Sequence, residues 1–374
     1  MKNIKGLDTL RAFAVFFVII EHFGVWFDDT STSGKIIRYI LIPDGGFGVD
    51  LFFVLSGFLI TSILFKARRD AQNNKPLIII KNFFIRRALR IFPIYYLLLF
   101  VLFLVKYPGI KEHMGYYSTY TANFLFYRTN AWNSFSHTWT LDVEEQFYLL
   151  WPWLIIFIKE RYFKYVAFIC IATGIISTYI AIVQGHIAPF LVFNCIDAFA
   201  IGGLYAWARL GVAENKKFET IIKRVVVVVA LGIYFYWKVT PQFTDYPVYG
   251  LFLVKVVNSI IAVWLIILVV NNRSEWVAKY ILGNRFLNFI GKISYGIYLY
   301  HYVYIVGYCN EVNHLLYQVT LPYPRINKTI HDHHVDYWIQ VSAIIIIATL
   351  SYKLIEQPLL KFKKKFNYSE KITK

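Results

Sequence analysis

The chain has 374 residues, 58% of them hydrophobic, with a mean hydropathy of +0.50 and a formal charge of +17. Several apolar runs reach the roughly 20 residues that a spanning helix needs, which excludes a soluble domain; an outer-membrane barrel is excluded too, because its strands would be ~10 residues long and alternating. The excess Lys and Arg collect in alternate loops, so the charge reads as positive-inside topology and not as a nucleic-acid surface.

Met1–Thr9 carries Lys2 and Lys5 and is expected to face the cytoplasm. No small-residue cleavage site follows the first apolar stretch, Leu10–Phe27, which is therefore read as a retained helix. That stretch holds Arg11, Glu21 and His22. An ionisable group near the middle of a membrane helix costs roughly 2.5–3.5 kcal/mol, so it normally has a partner or a task. Arg11 and His22 are close to three helical turns apart, on nearly one face and separated by roughly 16 Å along the axis. Either Arg11 snorkels and His22 sits in the outer interface, or the stripe handles something elongated.

Asp28–Gly45 reads as an external loop, and a second helix, Gly46–Phe65, returns inward. Asp50 then reaches the depth of His22, where a carboxylate would fix the imidazole tautomer and raise its basicity; the alternative is a helix cap. Ser56-Gly57 reads as close packing. Lys66–Arg90 is the most basic loop, and a third helix starts at Ile91 and ends near Lys106–Pro108. Arg87 and Arg90, at i and i+3, suit the phosphates of a nucleotide-like ligand or, alternatively, lipid headgroups.

Lys111–Ser136 is aromatic and polar and is expected to be external or re-entrant. His137 and Glu144 follow on one helical face, and Asp142, Glu144 and Glu145 are costly at a membrane entrance unless they face a wet cavity. Such a carboxylate is a candidate acid or base. Further helices are expected near Tyr165–Val183, Phe190–Leu210, Val225–Lys238, Tyr249–Val270, Ile293–Tyr308 and Tyr337–Ile355, with basic loops on one side. The sum is an all-α integral membrane bundle of about ten transmembrane helices, both termini cytoplasmic, in a single domain over 1–374 without an appended soluble domain. Cys170, Cys195 and Cys309 lack metal-type spacing, and His331, His333 and His334 lie on a loop without a scaffold, so no metal is expected.

Taken together the stretches resemble the membrane acyltransferase-3 family, the bacterial polysaccharide O-acetylase group. The resemblance rests on Gly6-Leu7-Asp8-x-Leu10-Arg11 through His22, Gly48–Phe58, Arg87-x-x-Arg90-Ile91-x-Pro93, Trp139-Thr140-Leu141-x-x-Glu144-x-x-Phe147-Tyr148, Ser294-Tyr295-x-x-Tyr298-Leu299-x-His301 and Ile355-Glu356-x-Pro358. It implies transfer of an acyl group, usually acetyl, from cytoplasmic acyl-CoA to a carbohydrate hydroxyl outside. Acetyl-CoA would be a co-substrate with no permanently bound cofactor, and the setting a bacterial inner membrane. His22 is then the catalytic histidine, with Arg11, Asp50 and Glu144 beside it, and Arg87 and Arg90 grip the CoA phosphates. His137, Trp139, Tyr148, His301 and Glu356 are grouped as substrate-binding. Thr140 stands where the family often has Ser. The rival is a polysaccharide or lipid-linked sugar exporter using buried ionisable groups; it would need no acyl-CoA, and neither an inverted repeat nor paired broken helices is visible.

Overall fold

The computed structural model describes residues 6–23, 45–70, 76–188, 190–210, 220–222, 224, 227–239, 247–323, 333–366 and 368. Among them every regular element is helical. The chain runs through α1 (Leu7–Phe23), α2 (Gly45–Asp70), α3 (Pro76–Leu104), α4 (Met114–Ser118), α5 (Ala122–Thr129), α6 (Trp139–Phe157), α7 (Phe163–Val183), α8 (Val192–Leu210), α9 (Val227–Val239), α10 (Pro247–Val270), α11 (Arg285–Gly307), α12 (Cys309–Thr320), α13 (His333–Ser351) and α14 (Gln357–Lys361). The expected loops at 28–44, the basic residues Lys2, Lys5, Lys216, Lys217 and Lys223, the His331–His334 side chains and both termini lie outside the described residues.

Helix α2 is the centre: α1, α6, α8 and α10 all pack on it. Small residues permit this. A Cβ on Gly57 would lie 2.0 Å from the Phe199 carbonyl oxygen, and one on Gly202 would lie 2.0 Å from that of Val54, so α2 and α8 touch backbone to backbone. Helix α1 sits between α2 and α11, and α13 covers the far side of α11.

Five helices are long and apolar enough to cross a membrane, those containing Gly45–Asp70, Pro76–Leu104, Glu160–Val183, Leu253–Val270 and Val335–Lys365. The chain is a multi-pass membrane protein. Helix α6 falls outside that set with three carboxylates in its first two turns, and α1 has 17 described residues. Both carry candidate site residues, and it is that chemistry that makes α6 too polar to read as an ordinary span.

Helix α3 corrects the sequence reading. It starts at Pro76, not Ile91, and is 29 residues long, roughly 44 Å. Proline fits the first turn of a helix, and the helix overshoots the ~30 Å hydrocarbon layer. Lys81, Arg86, Arg87 and Arg90 are therefore helical, while Lys66, Arg68 and Arg69 ride on the last turns of α2. The stretch 111–136 holds only α4, α5 and turns, too short to span.

Candidate active site

Three imidazoles from three elements meet at one end of the bundle. His22 is on the last turn of α1, His137 on the 3-10 turn before α6, and His301 on α11. His301 Nε2 lies 2.9 Å from His22 Nδ1, and His301 Nδ1 lies 2.6 Å from the Tyr298 carbonyl oxygen. His137 Nε2 lies 3.1 Å from the Leu299 carbonyl oxygen, which makes that nitrogen the donor and leaves the buried Nδ1 as an acceptor without a recorded partner. The His137 and His301 ring centroids are 5.5 Å apart, and Tyr302 packs on His22 and His137 at 5.1 and 5.3 Å. His301 is fully buried, whereas His22 is accessible.

A cavity whose lining includes none of the three histidines lies between α1, α2, α3, α6 and α11. Arg11, Arg87, Arg90, Ser56, Glu144, Tyr148 and Tyr298 line it. Tyr298 joins the two regions. Its hydroxyl lies 2.6 Å from Thr140 Oγ1, both hydroxyls reach the His137 carbonyl at 3.2 and 3.1 Å, and its ring centroid is 5.2 Å from that of His301. Ser56 Oγ donates to Glu144 Oε1 at 2.8 Å and sits 3.0 Å from the Tyr148 hydroxyl.

The other end is cationic. The Arg87 guanidinium carbon lies over the Tyr148 ring, 3.8 Å from its centroid, and the buried Arg87 Nε has no hydrogen-bond partner among the described residues. Arg90 lies within electrostatic reach of Arg11, Arg87 and Glu356. Arg11 pairs with Asp8 at 2.9 Å. Arg86 turns the other way and donates to the carbonyls of Lys363 and Phe366 at 2.9 and 3.1 Å, with the Tyr368 ring over it. This holds the 3-10 turn Phe362–Lys365 under α3 and brings Lys363 into the field of Arg11, Arg87 and Arg90.

The structure thus joins His22, His137 and His301 at one end, and Arg11, Arg87, Arg90, Glu144 and Tyr148 along the cavity. It does not bring Asp50 to His22: the imidazole bonds to His301, and Asp50 accepts from Asn258 Nδ2 on α10 at 3.2 Å. Gly45 lies against Glu21, and Gly48 against Ala14 and Val18, so Asp50 sits more than a helical turn further down the hairpin than His22. Glu356, grouped with the substrate binders, is buried beside Arg90 and Lys363 at the arginine end. Trp139 packs between Phe53 and Phe190, at 6.3 and 5.7 Å. Asp142 accepts from the backbone N–H of Asn123 at 2.9 Å and caps α5, not its own helix.

Sequence reasoning missed Ser56, the Thr140–Tyr298 hydroxyl pair and Lys363. Ser56 is 88 residues from Glu144, so only the fold reveals the bond. The signal for Tyr298 was its i, i+3 spacing with His301, which puts both on one face of α11.

A family model described as an acyltransferase domain matches residues 4–352. The chain is 30% identical to a Staphylococcus aureus (strain COL) protein provisionally described as an O-acetyltransferase, over 96% of this chain and 58% of that protein. It is 27% identical to the peptidoglycan O-acetyltransferase OatA of Listeria monocytogenes, over 96% of this chain and 56% of OatA. It is also 28% identical to Bacillus subtilis YrhL, provisionally described as a peptidoglycan O-acetyltransferase, over 96% of this chain and 55% of YrhL. The chain therefore spans somewhat more than half the length of the curated relatives it matches. No solved structure matches it. A family match across residues 4–352, over a bundle that gathers the motif histidines in one cluster and the motif arginines around a cavity that Tyr298 connects to it, makes this chain a member of the acyltransferase-3 family.

Proposed function

We propose that this chain is a membrane O-acyltransferase that moves an acyl group, in the first place acetyl, from cytoplasmic acyl-CoA to a hydroxyl of an extracytoplasmic carbohydrate. In this reading it crosses the bacterial inner membrane ten times with both termini cytoplasmic. The cationic cavity then faces the donor, and the imidazole cluster faces the acceptor. The observation that carries the reading is this polarity: guanidiniums lining the cavity and a cluster of three imidazoles beyond it, joined through Tyr298. The similarity to proteins named for peptidoglycan supports a cell-wall glycan as acceptor.

Arg87 and Arg90 hold the CoA phosphates, Arg87 offering its unpartnered Nε–H, while Arg11 and Lys363 add positive charge. The pantetheine arm extends along the cavity past Ser56 and Glu144, whose carboxylate accepts from the Ser56 hydroxyl and has further lone pairs for the amide N–H groups of the arm. His22 removes the proton of the sugar hydroxyl; the oxygen attacks the thioester carbon, the C–S bond breaks, and the imidazolium returns the proton to the CoA thiolate. General-base assistance of this kind is worth roughly 10²–10⁴-fold. A two-step route through an acyl-imidazole uses the same groups.

The test is transfer of label from acetyl-CoA to muramyl glycan fragments by purified protein in nanodiscs. Label on the glycan is the expected result. Label that stays on CoA with every short acyl donor and glycan offered would return the exporter reading to the front.

A further inference from the structure

The structure assigns His301 as the positioning residue that fixes the tautomer of His22. The Tyr298 carbonyl can only accept a hydrogen bond. His301 Nδ1, 2.6 Å away, therefore carries a hydrogen. A neutral His301 then presents Nε2 as a lone pair. His22 Nδ1, 2.9 Å from that lone pair, must supply the hydrogen of the second bond. The Val18 backbone one turn earlier on α1 also hydrogen-bonds the His22 ring, so the His301→Leu variant separates the two influences. The consequence lies on the far side of the His22 ring: Nε2 is bare and able to accept a proton.

The opposite assignment, with His301 Nε2 donating to His22, would make both His301 nitrogens donors and the ring a cation. His301 is fully buried, and its neighbours among the described residues are the backbone of Tyr298 and Ile297 and the rings of His22, His137, Tyr298 and Tyr302, with no carboxylate among them. An uncompensated charge there is prohibitively costly. His301 thus does what a carboxylate does in the commoner arrangement, and it does so without a buried charge. When His22 takes a proton on Nε2, its Nδ1–H···Nε2 bond to His301 becomes charge-assisted and holds the imidazolium in place.

The use made of the bare Nε2 rests on the acyl-transfer reading above; the tautomer itself does not. The experiment is imidazole ¹⁵N NMR on histidine-labelled protein in nanodiscs, alongside acyl-transfer kinetics. The wild type is expected to show His22 as the Nδ1–H tautomer. His301→Leu is expected to convert it to the Nε2–H form and to lower kcat by roughly 10²–10⁴-fold with KM for acyl-CoA unchanged. His301→Gln, whose amide oxygen can accept from His22 and whose N–H can donate to Tyr298, should keep the Nδ1–H form and most of the rate. An Nε2–H tautomer in the wild type, or an unchanged tautomer in a folded His301→Leu protein, overturns the assignment. A tautomer that switches as stated, in a protein whose wild type transfers no acyl group, upholds the assignment and rejects the acyl-transfer reading instead.

Discussion

Gly291 on α11 lies against the backbone of Asp8 on α1, so closely that a Cβ would sit 1.8 Å from the Asp8 carbonyl oxygen. Further along the same two helices His301 meets His22 at 2.9 Å. The helices therefore run parallel and are pinned at both ends, backbone contact at the arginine end and imidazole contact at the other. Gly291→Ala has no flexible side chain to displace and must push the helices apart. We expect a stability loss of about 1–3 kcal/mol and a fall in transfer rate, read by thermal unfolding and turnover in detergent. Gly115→Ala, where a Cβ meets nothing within 4 Å, is the matched control and should change neither.

Arg87 stacks on Tyr148 and keeps its Nε–H free, a geometry that lysine cannot copy. Arg87→Lys should raise KM for acyl-CoA by roughly 10–100-fold, the value of a hydrogen bond to a charged group, and change kcat less. Steady-state kinetics over a donor titration will show whether the effect falls on KM. An unchanged KM would remove Arg87 from the donor site.

Arg86 is not on the cavity but holds the Phe362–Lys365 turn through two backbone carbonyls. Arg86→Ala and Lys363→Ala should therefore each raise KM for acyl-CoA, by roughly 2–10-fold on the scale of one ordinary hydrogen bond. The double variant should be little worse than either alone, because both remove the same cation from the same place. Full additivity would mean that Arg86 acts by another route.

Lys255 on α10 pairs with Asp197 on α8 at 2.9 Å, and both are buried. Lys255→Met leaves the carboxylate unpaired and should cost about 3–5 kcal/mol. Adding Asp197→Leu should restore most of the loss, since a well-packed apolar pair replaces a buried ion pair at little cost. Thermal unfolding of the two single variants and the double variant measures this.

What could be read from the sequence was the set of residues that a membrane helix has no reason to carry: Arg11 and His22 on α1, Arg87 and Arg90 on α3, Glu144 on α6. Burial cost makes such residues stand out wherever the chain folds. Their partners were not legible, because the register of one helix against another and the direction a residue faces both follow from packing. Asp50 and His301 illustrate this: the sequence offers Asp50 as the partner of His22, yet packing sets it deeper than the ring and against Asn258, and it is His301 that meets His22. The start of α3 was missed because a dense run of Lys and Arg reads as a loop, whereas here it is a helix long enough to leave the hydrocarbon layer.

The catalytic role of His22 is read from release of free CoA thiol from acetyl-CoA by the purified protein, wild type beside His22→Ala, with unfolding curves to show that both are folded. Acceptor-dependent thiol release is expected in the wild type, and its loss in His22→Ala while acetyl-CoA binding persists. Thiol release at the wild-type rate in a folded His22→Ala protein would contradict that role.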